Sequence, residues 1–366
     1  MIRLAAPPVD RPVLERLVRP HAHPAVTLVI PFDHRRPGNR EDPRRIAAMR
    51  ANVFASLDGT GAPGADAVAE RLDDAIARVD LEHPVPGLVI LVAPDTTAVL
   101  HLGSTPRTSV TIARQFALAA VLSALQHEVR ARALLLGRAE SRCIEVDDGT
   151  ASERTDHGFP VDAVVRGSVG NPHEDRPAGE RVVAEDALAT FRTVWANLVA
   201  LQRDAPREVV LVGTDRDLAF VDAVRGEEVP VAARVAASHE WDRPDEVAAL
   251  VRPVLQAEHA AAMGELCRAA QEALGHGVVA GVAPVWRAAR TGRGHRLLVE
   301  DDLRHPTRPQ ANDELGPLDL DAAADPEHLD GVDDAIAATL ARDGEVIVVP
   351  AGALAGLDGI ALVTRY

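Results

Sequence analysis

An α/β protein of three domains is what this sequence predicts, and three observations carry the prediction. The chain has 366 residues, more than one ordinary hydrophobic core takes up. Its hydrophobic content of 47% is that of a folded chain rather than a disordered one. Along its whole length, short apolar runs rich in Val, Ile and Leu alternate with segments of helical periodicity. Aromatic residues make up only 3%, so the cores must be built from Ala, Val and Leu.

The first domain is expected over residues 1–113. Ala25–Phe32 (AVTLVIPF) reads as a buried strand. Asp42-Pro43 reads as a helix start, with Asp as N-cap and Pro at the first helical position, and Ile46, Met49, Val53, Phe54 and Leu57 then share one face. A second helix is expected around Val68–Val79. The apolar runs Gly87–Ala93 and Thr97–Leu102 meet at Pro94-Asp95, a hairpin turn.

A helix over Ile112–Val129 is expected to lead into the second domain, 114–237. There ARALLLG and Ser141–Val146 form another hairpin, and a long polar stretch ends in GNPHEDRPAGER, Gly170–Arg181. Ala184, Ala187, Leu188, Phe191, Val194, Trp195 and Leu198 recur behind it at helical spacing. Arg207–Gly213, a short helix and Val229–Val235 complete a mixed sheet. In the third domain, 238–366, a long helix runs from Pro244 to about Leu274, followed by the helix VAPVWRAAR and the strand His295–Asp302. A turn-rich surface excursion leads to a last helix and the strands EVIVVP and IALVTRY.

All 39 basic residues are arginines, and 55 acids leave a net charge of −16. That balance disfavours indiscriminate coating of nucleic acid, where phosphate neutralisation supplies most of the affinity, and leaves a local basic face open. Cys143 and Cys267 have no metal or redox spacing, which suits a reducing compartment. No signal-like or membrane-spanning run is present, so a soluble cytoplasmic protein is expected.

Gly59-Thr60-Gly61-Ala62-Pro63-Gly64 matches a dinucleotide fingerprint in letters but follows a helix, so a connector between helices is expected. Neither a cofactor nor a metal is expected, and no residue is assigned a catalytic role. Two arginine clusters stand out. Six arginines against two acids lie between Arg35 and Arg50, with Arg35, Arg36 and Arg40 in a loop and Arg44 and Arg45 on a first helical turn, where cations oppose the helix dipole. Six more against three acids lie between Arg287 and Arg308, including Arg290, Arg293 and Arg296, and TGRGHR within this stretch suits a backbone close to phosphate. The alternative for both is an ordinary solvated face. Residues 311–334, with nine acids and no arginine, would repel RNA.

The order of these elements resembles the bacterial members of the archaeo-eukaryotic release-factor family, the group of the eukaryotic class I release factor and Pelota. The residues that carry the resemblance are TLVIPFDHRRPGNREDPRRIAAMRANV, then ALLLGRAESRCIEVDDG with the loop, helix and REVVLVG behind it, then APVWRAARTGRGHRLLVEDDL and the closing DGEVIVVPAGALAGLDGIALVTRY. The resemblance implies a ribonuclease-H-like middle domain and a C-terminal α/β/α domain like the kink-turn-binding ribosomal proteins. It implies the ribosome as partner, through rRNA and tRNA, with a translational GTPase as a further partner and no membrane.

In release factors a Gly-Gly-Gln loop ahead of the middle domain's long helix promotes hydrolysis of peptidyl-tRNA. Gly170, His173, Glu174, Arg176, Gly179, Glu180 and Arg181 occupy that place here, and the chain has no Gly-Gly-Gln and no adjacent glycine pair. Hydrolase activity is therefore not carried over. The expectation is a non-hydrolytic, ribosome-associated factor for rescue, stress or hibernation that occupies the A site. The rivals are a peptidyl-tRNA hydrolase using His173 or Glu174, and a protein-interaction module that no longer binds ribosomes.

Overall fold

β1 (Ala25–Pro31) has almost no polar side chain, and it is buried on both faces because helices cover both sides of its sheet. In the computed structural model of the protein the described residues are 17–19, 21–34, 36–58, 61–126, 129–147, 150–163, 176–238, 242–309, 315–317 and 329–365. They divide into two compact units, one drawn from residues 1–128 and 261–366, the other from 129–260. Both are α/β, as expected.

In the first unit β1 pairs antiparallel with β2 (Gly87–Ala93) and with β4 (Ser109–Ala113), and β2 continues through the Pro94-Asp95 turn into β3 (Thr96–Leu102), giving the order β3-β2-β1-β4. The alternation of side chains sends Val26, Leu28 and Ile30 to one face, under α1 (Glu41–Asp58) and α2 (Ala65–Ala77). It sends Ala25 and Val29 to the other, where α3 (Leu118–Gln126) packs. The helix expected from Ile112 begins only at Leu118. Its first residues are instead β4, because the β-branched Val110, Thr111 and Ile112 pair with the edge of β1 opposite Leu28, Thr27 and Val26. Asp42 is not the N-cap of α1 either. Asn39 caps it, its Oδ1 accepting from the N–H groups of Glu41 and Asp42 at 2.8 and 2.9 Å.

A second sheet of this unit has the order β11-β17-β12-β16, formed by β11 (Val278–Ala280), β12 (Gly294–Glu300), β16 (Glu345–Val349) and β17 (Ile360–Thr364). Leu297, Val299, Val346 and Val348 face α3, α7 (Val282–Arg290) and α8 (Gly331–Leu340) in the same core as Val29 and Leu91. Leu298, Ile347 and Val349 face Cys267 and Ala270 on the far side. Between β12 and α8 the turn-rich stretch carries a small sheet of β13 (Pro306–Pro309), β14 (Leu315–Pro317) and β15 (Leu329–Asp330), ordered β14-β13-β15.

The second unit is built on β5 (Ala131–Leu135), β6 (Glu140–Asp147), β7 (Thr150–Glu153), β9 (Glu208–Gly213) and β10 (Val231–Ala236), in the order β10-β9-β5-β6-β7, with β8 (Val161–Asp162) also on β6. β5, β9 and β10 run parallel, while β6 and β7 form an antiparallel meander. α4 (Arg176–Asp204) and α5 (Asp215–Val224) cover one face through Phe191, Val194, Trp195, Leu198 and Leu218. Val247, Ala248, Val251 and Leu255 of α6 (Pro244–Glu272) cover the other. The sheet is mixed and covered by helices on both faces, the α/β layer that the alternating pattern predicts.

Candidate functional site

The connection from β1 to α1 is drawn tight by a buried carboxylate. Asp42, 2% exposed, accepts from the Asp33 N–H at 3.2 Å, from Asn39 Nδ2 at 2.7 Å and from Arg45 Nη1 at 2.7 Å. Arg45 Nη1 also donates to the Pro31 carbonyl at 2.6 Å. Arg45, a candidate contact residue by sequence, therefore holds the loop in place. Arg36, 83% exposed with Asp33 4.0 Å away, and the exposed Arg40 and Arg44 are left to project from this fixed loop and from the first turn of α1. Arg35 lies outside the described residues. Arg50 pairs with Asp73 of α2 at 2.5 and 2.7 Å and lies 4.1 Å over the Phe54 ring, which makes it a helix–helix tie.

The second cluster is sorted in the same way. Arg290 stacks 4.7 Å over Trp286 and reaches Asp334 at 3.5 Å, the carboxylate that also accepts from Trp286 Nε1. Arg296 pairs with Glu345 across β12 and β16 at 2.6 Å. Arg293 is exposed. Of the three arginines singled out here by sequence, two bind acids of their own unit.

Of the residues at the release-motif position, Gly170, His173 and Glu174 lie outside the described residues. Arg176, Gly179, Glu180 and Arg181, expected as loop, lie in the first turns of α4, with Pro177 in the initial turn where a missing N–H costs no hydrogen bond. Further along α4 lies a cleft of about 220 Å³ that no sequence signal announced. It is lined by Gly137 and Arg138 of the β5–β6 turn, by Asp186, Thr190 and Phe191 of α4, and by Arg216, Asp217 and Phe220 of α5. Phe191 and Phe220 stack at 6.2 Å and Arg216 sits 5.6 Å from the Phe220 ring. Two guanidiniums face two carboxylates, and Asp217 is engaged by Thr214 Oγ1 at 2.5 Å at the start of α5. The described lining contains no nucleophile–base pair of the kind that acyl transfer requires.

Elsewhere in this unit the buried charges are structural. Arg132, 1% exposed, donates to Glu145 at 3.0 Å, to Gln202 at 2.8 Å and to the Ala205 carbonyl at 2.6 Å, tying β5 to the end of α4. Glu145 also accepts from Arg154 at 3.1 Å and forms an ion pair with Arg207 at 3.0 Å. Burial pushes the Cys143 thiol up to about 12, so it is inert as a nucleophile near neutrality. Glu208 hydrogen-bonds His259 at 2.8 Å and raises its pKa above the ordinary histidine value. Among the described residues no three metal-ligating side chains converge, and no helix is long and apolar enough to cross a membrane.

Residues 132–293, which take in nearly all of the second unit's sheet and run on through α7, match the model of bacterial archaeo-eukaryotic release factor family 3. Over these residues the sequence is release-factor-like. Solved structures similar to this chain include an archaeal translation termination factor, aRF1, at 16% identity over 98% of this chain and 99% of that one, with a TM-score of 0.24. Dom34 of S. cerevisiae, a translation termination-like factor, is 11% identical over 76% of this chain and 73% of its own, with a TM-score of 0.40. A ribosome-bound archaeal Pelota is 14% identical over 76% and 77%, also at 0.40. No curated protein matches the sequence.

Proposed function

We propose that this release-factor-like chain is a ribosome-associated factor that occupies the A site without hydrolysing peptidyl-tRNA, in rescue, stress or hibernation. One observation carries the reading: residues 132–293 match a release-factor family while the segment at the release-motif position has no Gly-Gly-Gln. The exposed Arg36 and Arg40, on a loop fixed by Asp42 and Arg45, and Arg44 on the first turn of α1 support it as a set of phosphate contacts. The three-domain division at 1–113, 114–237 and 238–366, cytoplasmic action, contacts to rRNA and tRNA, and delivery by a translational GTPase belong to the same proposal.

The test is sedimentation of the protein with ribosomes, from growing and from starved cells, at low and high salt. Co-migration that weakens with salt is the expected outcome. Replacing Arg36, Arg40 and Arg44 together by Ser should weaken association about tenfold or more and flatten its salt dependence. Unchanged binding by that variant would remove this loop from the interface. Failure of the unaltered protein to sediment in every condition would overturn the reading in favour of an interaction module away from the ribosome. Release of peptide from ribosome-bound peptidyl-tRNA above background would overturn its non-hydrolytic part.

A further inference from the structure

α7 ends in a tight turn at Thr291-Gly292. Gly292 holds φ +77, and a Cβ there would lie 3.3 Å from Arg342 Cδ, so Arg342, just beyond α8, packs against this turn although it is far away in sequence. Arg365, beyond β17, closes the same corner. Its N–H donates to the Arg293 carbonyl at 2.9 Å, its Nε to the Gly294 carbonyl at 2.9 Å, and its Nη2 to the Arg342 carbonyl. Arg287, in the last turn of α7, and Arg293, just past it, flank the corner. All four arginines are exposed.

Helix stability explains part of this gathering. Cations are favoured where helix carbonyls end, and Arg342 Nη1 donates to the Ala338 carbonyl at 3.1 Å. It does not explain Arg293, which lies outside the helix. Neither Arg287 nor Arg293 has a side-chain partner among the described residues. The acids at hand offset only part of the charge: Asp334 is engaged by Trp286 and Arg290, Glu345 by Arg296, and Asp343, next to Arg342 in sequence, balances one arginine of the four. A concentration of positive charge assembled from three separate segments, in a chain of −16, needs an anionic partner to account for it.

We propose that Arg287, Arg293, Arg342 and Arg365 form one surface that binds the phosphate backbone of RNA. The planar guanidinium fork matches phosphate oxygens, and Arg342 and Arg365 are already oriented by the carbonyls they hold. Trp286, the nearby aromatic residue, is buried, so the surface reads charge and not base identity. The choice of RNA over an acidic protein rests on the ribosome-associated reading above.

The experiment is fluorescence anisotropy with a labelled RNA hairpin of arbitrary sequence, across a salt series. An Arg287→Gln, Arg293→Gln double variant leaves the carbonyl-bound arginines in place and should weaken binding about tenfold at low salt and reduce the slope of log K against log salt by roughly 1.5. Arg71→Gln with Arg78→Gln removes two exposed arginines, one in α2 and one at its C-cap, outside both clusters and should change little. Unchanged binding by the first variant, or an equal loss in the second, would overturn the surface. So would binding of polyglutamate as tight as that of the hairpin, which would assign the corner to an acidic protein. Failure of the unaltered chain to sediment with ribosomes strikes the ribosome reading alone, because the hairpin measurement judges the surface independently.

Discussion

Asp333 lies 3% exposed in the core of the first unit, with Asp330 three residues before it. It accepts from the Ala119 N–H at 2.8 Å at the start of α3. Burial, then the neighbouring Asp330 carboxylate, push its pKa up to about 7, against the opposing hydrogen bonds and Arg304. Since the folded value lies above the unfolded one, the native state holds a proton that the unfolded chain gives up between about pH 4 and 7, and stability falls as pH rises through that window. Asp333→Asn keeps an oxygen for the Ala119 N–H and removes the charge. Its stability relative to the unaltered protein should rise between pH 5 and pH 8 by on the order of 2 kcal/mol, as read from thermal melts at the two pH values. Arg132 is the opposite case, a buried cation whose partners depend on it. Arg132→Met leaves the Ala205 carbonyl without its donor and should cost about 3 kcal/mol in urea unfolding, while Glu145 keeps Arg154 and Arg207.

Among the elements, α3 shows how a short helix is fixed by more than its apolar face. Its leading segment is held by Thr27 Oγ1, which accepts from the Ala117 N–H at 3.0 Å, and by Asp333. At its other end Gln126 lies along the open edge of β16, donating to the Val346 carbonyl at 3.0 Å and accepting from the Val348 N–H at 2.8 Å. One side-chain amide thus does for two residues of an edge strand what a neighbouring strand would do. Gln126→Ala should cost about 1–3 kcal/mol, and its unfolding midpoint in urea is the measurement that checks it. None of these ties could be read from the sequence. The β1 strand, the β2–β3 hairpin and the apolar faces of α1 and α4 were legible because their periodicity matches their burial. β4 was not, since its β-branched run abuts the helical pattern of α3 and only pairing with β1 separates the two. β7 was not either, because TASE has no apolar alternation and is recruited by the edge of β6, with Glu153 on Arg142. The cap of α1 was misassigned to Asp42 because the Asn39 side chain reaches the first N–H groups from outside the helix.

At the scale of the whole molecule the net charge of −16 and a phosphate-binding role are compatible only if arginine is concentrated locally. Arginine density along the chain was a partial guide to where. It pointed to Arg36, Arg40 and Arg44, which are exposed, and equally to Arg45, Arg290 and Arg296, which bind within their own unit. It missed Arg342 and Arg365, which stand alone in sequence and join Arg293 only through the meeting of α8 and β17 with the α7 turn. Clustering by fold, not by sequence, decides which cations are available to an anion.

The Gln126 clamp also supplies a spectroscopic handle. The Val348 amide hydrogen is held by a side chain of another element, facing away from the parallel strand β12. Its exchange with deuterium is therefore governed by the departure of α3 and not by fraying of the sheet. Followed residue by residue, that single amide reports the docking of α3 while its strand neighbours report the sheet itself, so the opening of the two can be timed separately in one sample.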